Sequence, residues 1–149
     1  MKGSAMSQLA ESETKKNVEI LKKAYALWNT SKAASVDHWM GLVAEDVSWR
    51  SLADGSPGME FTGRCNCKSE VLEYFQVLGT QWELNEYNAD EFIAENDRVV
   101  MVGSCQWTHR KTGKLVKTPK VDILRMKDGL IVDFYEFYDA AKALAGANQ

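Results

Sequence analysis

Proline is almost missing from this chain: Pro57 and Pro119 are the only two in 149 residues. That excludes proline-rich spacers and extended recognition tracts. Long apolar runs are missing too. None approaches the ~20 residues needed to cross a bilayer, and the polar N-terminus has no apolar leader core. The expectation is a cytoplasmic protein with no membrane partner. Cysteine is scarce and odd in number: Cys65, Cys67 and Cys105, without framework spacing, fit a reducing compartment. Cys65 and Cys67 form a C-x-C pair, but the only histidines, His38 and His109, do not complete a zinc-type spacing. No metal and no cofactor are expected, and the pair reads as loop and helix-start packing. Charge of one sign is not concentrated either. The net charge of −3 is scattered, which excludes the basic stripe of a nucleic-acid binder.

What is present is apolar mass. At 45% apolar residues, a chain of this length can bury roughly two-thirds of its unfolded surface in one core. Residues 1–13 read as a tag remnant and disordered N-terminus, and residues 14–149 as a single domain. Val18, Leu21, Tyr25 and Trp28 recur at helical spacing within a helix from Thr14 to Thr30. Ser35 is placed to cap a short second helix with Trp39, Leu42 and Val43. Asp46 opens a strand with Val47 and Trp49 on one face. After a glycine-rich loop from Asp54 to Gly63, a third helix runs from Cys67 to Leu78 on Val71, Leu72, Phe75 and Leu78. Strands follow: one beginning at Trp82, then Arg98–His109, Leu115–Met126 and Leu130–Tyr138, with a closing helix over 140–145. Helices at one end and a meander at the other predict an α+β fold, in which a curved antiparallel sheet wraps around three N-terminal helices. Such a cup leaves a concave small-molecule site.

Several short stretches occur in a telling order: Tyr25-Ala26-Leu27-Trp28, Ala44-Glu45-Asp46-Val47-Ser48-Trp49, Phe61-Thr62-Gly63-Arg64, Asn96-Asp97-Arg98-Val99-Val100, Thr112-Gly113-Lys114, Lys127-Asp128-Gly129-Leu130-Ile131 and Tyr138-Asp139. From Val18 to Ala145 the chain resembles the SnoaL-like branch of the nuclear transport factor 2 (NTF2)-like superfamily, relatives of ketosteroid isomerase and polyketide cyclases. The resemblance implies a cone-shaped α+β barrel, a homodimer, and a pocket for a small, apolar, oxygen-bearing ligand. It implies cofactor-free isomerase or cyclase chemistry, or alternatively a non-catalytic binding or association module.

Strand alternation puts Asp122 on the same face as Leu124 and Met126. Among apolar neighbours its carboxyl is costly to ionise, so its pKa should rise, and a neutral carboxyl can donate to a developing oxyanion. The resemblance aligns Asp122 and Tyr25 with the oxyanion-hole pair of the isomerases. The isomerases' catalytic aspartate is replaced by Ser51, which weakens steroid isomerisation. Glu136 matches an acid of the cyclases and of limonene epoxide hydrolases. Arg98 fits the hydrolases' arginine, but Val100 stands where they need an aspartate. A three-residue turn, Lys127-Asp128-Gly129, would put Asp122 and Glu136 on one face, and a two-residue turn would separate them. The hydrophobic pattern favours the first by gathering Leu124, Met126, Leu130, Val132 and Phe134. Asp122, Glu136 and Tyr25 are the candidate catalytic groups. Trp28, Trp49, Phe75, Trp107, Leu124 and Phe134 are the candidate pocket lining. His109 and His38 are expected at the surface. Ile123, Tyr135 and Phe137 should form an outward face able to meet a second copy.

Overall fold

The structure, a computed structural model, describes residues 2–149, with side chains from Gln8 onward. Its elements are α1 (Lys2–Thr30), α2 (Val36–Met40), β1 (Val43–Ser51), a 3₁₀ turn (Glu60–Thr62), α3 (Lys68–Gln81), β2 (Trp82–Glu95), β3 (Arg98–His109), β4 (Leu115–Lys127), β5 (Leu130–Tyr138) and α4 (Ala140–Ala147). Helix α1 starts well before Thr14. Residues Gln8–Glu13 are exposed, so no apolar stripe marks their helical course in the sequence. Further along, Leu21, Ala24, Tyr25 and Trp28 are buried and dock α1 into the cup.

The sheet is open, with strand order β1-β5-β4-β3-β2. It is mixed rather than wholly antiparallel, because the edge strand β1 runs parallel to β5. A parallel neighbour requires a long crossover, and the chain between β1 and β5 provides one. Register shifts interrupt the β2–β3 ladder between Leu84 and Glu86 and between Ala89 and Glu91. Bulges bend a strand and sharpen its twist, and here they curl the long β2–β3 ribbon around the helices. Gly103 pairs with Ala89 beside the second bulge. A Cβ at that position would overlap the Asn88 carbonyl oxygen. Gly103→Ala is therefore expected to cost about 1–3 kcal/mol, the usual range for overpacking, read by urea denaturation with the native far-ultraviolet spectrum as control.

The main core joins Leu21, Val47, Val71, Val99, Met101, Leu124 and Ile131 between the helices and the concave sheet face. A smaller cluster, Ala53, Met59, Trp82, Val116 and Ala143, seats α4 across the end of the cup. On α3 the inward residues are Val71, Tyr74 and Phe75. Leu72 is exposed, because the face is set by the spacing of Val71, Tyr74 and Phe75 rather than by hydrophobicity alone. His109 is buried, not solvent-facing. Its ring packs edge-on against Trp82 at 4.7 Å, and its Nδ1 accepts from the Thr112 amide at 3.2 Å. Among the described residues no helix is long and apolar enough to cross a membrane.

Candidate functional site

Asp122 and Glu136 do share a face, but by a different route from the one the hydrophobic pattern suggested. The β4–β5 turn is the two-residue one: Lys127 pairs with Leu130 and Met126 with Ile131. A register shift between Arg125 and Met126 then moves the ladder by one residue, so Asp122 faces Glu136 directly. The same bulge turns Ile131 inward and leaves Leu130 exposed, correcting the expectation for Leu130. Directly opposed like charges destabilise a strand pair. The relief comes from Lys120, two residues before Asp122 and on the same face.

Lys120 is a charged residue of the site that the sequence reading did not single out. Its Nζ lies 2.5 Å from Asp122 Oδ1 and 3.2 Å from Glu136 Oε2. Three tyrosines complete the cluster. Tyr25 from α1 donates to Asp122 Oδ2 at 2.6 Å, and Tyr87 from β2 donates to the same oxygen at 3.2 Å. Tyr74 from α3 donates to Glu136 Oε1 at 2.7 Å. Nearby, the Ser51 and Tyr138 hydroxyls lie 2.6 Å apart, and Ser51 is a buried hydrogen-bonding partner. The sheet thus supplies the charges, and α1, α3 and β2 each supply a phenol to hold them.

Burial pushes Asp122 above the ordinary carboxylate value; the Lys120 ammonium opposes this and the Glu136 carboxylate adds to it. For Lys120, burial alone would lower the pKa. The pull of Asp122 and Glu136 outweighs that and holds it well above the ordinary lysine value. The ammonium also sits within 6 Å of the Tyr87 and Phe134 ring centroids, at 5.8 and 5.9 Å, close enough for cation–π attraction. Lys120 is thus a charged donor and not a free amine nucleophile. Burial pushes the Cys105 thiol up to about 11, which likewise removes it as a nucleophile at neutral pH.

The cluster forms one polar wall of a cavity of about 100 Å³. Tyr25, Trp28, Trp49, Phe75, Trp107 and Phe134 all line it, as do Asp122 and Glu136. Leu124 does not; it is fully buried in the main core, between its strand neighbours Val99 and Phe134. Access is uneven within the cluster. The Lys120 and Glu136 side chains each keep 9% of their surface, whereas Asp122 keeps 1%. Asp122 is the rear support, and Lys120 and Glu136 present themselves to the cavity. Every neighbour bonded to Asp122 is a donor, so its carboxylate accepts. One hydrogen of the ammonium goes to Asp122 and the charge pairs with Glu136. At least one of its three donors is left without a protein hydrogen-bond acceptor among the described residues.

On the opposite face of the sheet, Ile123 is exposed. Tyr135 and Phe137 stack at 4.3 Å, with Arg50 lying over Tyr135 at 4.2 Å. Arg98 is exposed at the far end of β3 and is not among the residues lining the cavity.

The sequence profile of the SnoaL-like domain matches residues 21–134. No curated protein matches the chain. Among solved structures, an NTF2-like protein from Burkholderia thailandensis superposes with a TM-score of 0.74 at 24% identity, covering 89% of this chain and 98% of that one. An NTF2-like protein of unknown function from Burkholderia pseudomallei gives 0.77 at 22% identity, over 89% and 98%. A hypothetical protein from Catenulispora acidiphila, with a ketosteroid isomerase-like fold and in complex with trimethylamine, gives 0.69 at 13% identity, over 87% and 92%. At these identities the likeness is one of fold.

Proposed function

The chain belongs to the SnoaL-like domain family, and from that premise we propose that its cavity binds a small, mostly apolar carbonyl compound and moves a proton on it without a cofactor. The observation that carries this reading is the pairing of Lys120 and Glu136 at the one polar wall of an aromatic cavity. A ligand carbonyl seated there meets the free ammonium hydrogen of Lys120, which stabilises oxyanion character as it develops. Glu136 stands beside it as the group able to take a proton from the adjacent carbon and return it elsewhere. Tyr74 orients Glu136, while Asp122, Tyr25 and Tyr87 hold Lys120 in place. Low dielectric around the wall strengthens each of these interactions. Enolisation is the shared first step of isomerisation and of aldol-type cyclisation, so it is the step to assay.

The test is deuterium uptake at the α carbon of cyclopentanone in D₂O, followed by proton NMR. The protein is expected to accelerate uptake, and Glu136→Gln to lose the acceleration while keeping its fold. No acceleration with any of a panel of small ketones contradicts the reading.

A second reading, a non-catalytic homodimeric module in the cytoplasm, draws support from the outer aromatic face of Tyr135, Phe137 and Ile123. It expects a dimer by light scattering that Phe137→Ser converts to monomer, and indifference of ligand binding to Glu136→Gln.

A further inference from the structure

We propose that the cavity is a site for compact neutral carbonyl compounds no larger than one small ring, and that its aromatic walls reject fused polycycles. The inference rests on the carbonyl reading above for the ligand's chemistry and adds its size and charge. The void measures about 100 Å³, whereas a cavity of roughly 150 Å³ holds a single benzene. The surrounding rings are already in contact with one another. Trp28 lies 5.6 Å from Phe75 and 6.4 Å from Trp107; Trp49 lies 5.6 Å from Phe75 and stacks on Phe134 at 3.8 Å. A second fused ring would have to displace an indole or stand out through the mouth, and close-packed side chains do not yield that space cheaply.

Charge narrows the class further. The polar wall holds one ammonium against two carboxylates. An anionic ligand would find no positive excess there, and desolvating it would go uncompensated. A neutral carbonyl needs only the one free Lys120 hydrogen.

The experiment measures binding of cyclopentanone, 2-decalone and a steroid ketone to the full chain by saturation-transfer and indole N–H NMR. The native chain is expected to bind cyclopentanone, with 2-decalone at least about tenfold weaker, the scale on which apolar pockets discriminate, and the steroid not at all. Trp107→Leu opens the wall and should recover 2-decalone binding by about tenfold. Should Trp107→Leu fail to fold, Phe75→Leu serves the same purpose. Equal or tighter binding of 2-decalone or the steroid by the native chain overturns the proposal. So does a folded, enlarged variant that gains nothing, or failure of cyclopentanone to bind. Deuterium uptake separates the two readings. Uptake catalysed equally on small and fused ketones sinks the size rule and leaves proton transfer intact. Size-limited binding without uptake does the reverse.

Discussion

Lys120→Met is expected to destabilise the protein by about 3–5 kcal/mol at pH 8, the usual consequence of removing one partner from a buried ion pair. The loss should shrink markedly at pH 5. With the ammonium gone, Asp122 and Glu136 face each other across adjacent strands with nothing between them but tyrosine hydroxyls. Burial already raises Asp122, and losing the opposing cation raises it further. A carboxyl whose folded pKa lies above its unfolded value, near 4, favours the folded state at low pH; that contribution fades as pH rises through the folded pKa. The variant therefore recovers stability on acidification, as one carboxyl takes a proton and the repulsion ends. In the native chain the linked group is Lys120 itself. Its raised pKa means that its contribution is complete below the ordinary lysine value near 10.4 and is lost as pH climbs through the higher folded value. Urea denaturation at pH 5 and pH 8 checks the first statement, and denaturation of the native chain as pH rises past about 10.4 checks the second. Equal loss in Lys120→Met at pH 5 and pH 8 would show that the carboxylates do not repel, and that Lys120 is not their bridge.

Glu136→Gln should lower carbonyl α-proton exchange by about 10²–10⁴-fold, the contribution typical of a positioned general base, with little loss of stability. Glutamine keeps the volume and can still accept from Tyr74. Removing the charge also leaves Lys120 and Asp122 as a balanced pair, so the folded state has little to lose. Activity and stability are thereby separated, which no substitution at Lys120 can do. Far-ultraviolet circular dichroism and a denaturation curve accompany the exchange assay. Loss of exchange together with loss of fold would assign Glu136 a purely structural role. Exchange left within a few-fold of the native rate would remove it from the chemistry altogether.

Much of the fold was legible because burial in this chain follows simple periods. Strand β3 over Arg98–His109 and β5 over Leu130–Tyr138 carry their own punctuation, the Asp128-Gly129 turn and the Gly113 hairpin. The extent of α1 was not legible, since Gln8–Glu13 are exposed and carry no apolar stripe. Nor was the mixed character of the sheet, because the partner of an edge strand is set by a long crossover rather than by local pattern. The site was half legible. Alternation alone put Asp122 inside, and the same rule carried two residues back puts Lys120 inside too, although lysine is rarely buried unless paired. Tyr74 was equally within reach, at three residues from Val71 on the inward face of α3. The bulge near Met126 was beyond reach. Nothing in Arg125-Met126-Lys127 announces it, yet it brings Asp122 opposite Glu136 through a turn that would otherwise have parted them. Tyr87 lay beyond reach as well, because the shift between Leu84 and Glu86 breaks the parity that would connect it to Trp82.

The claim on which all of this depends is that a lysine ammonium stays charged between two carboxylates inside an aromatic cavity. Titration of the lysine side chains by carbon-13 NMR at the ε position tests it most directly, with Lys120→Met assigning the signal. The account predicts that Lys120 is still an ammonium above the ordinary lysine value near pH 10.4. A Lys120 signal that titrates at or below that ordinary value would contradict it.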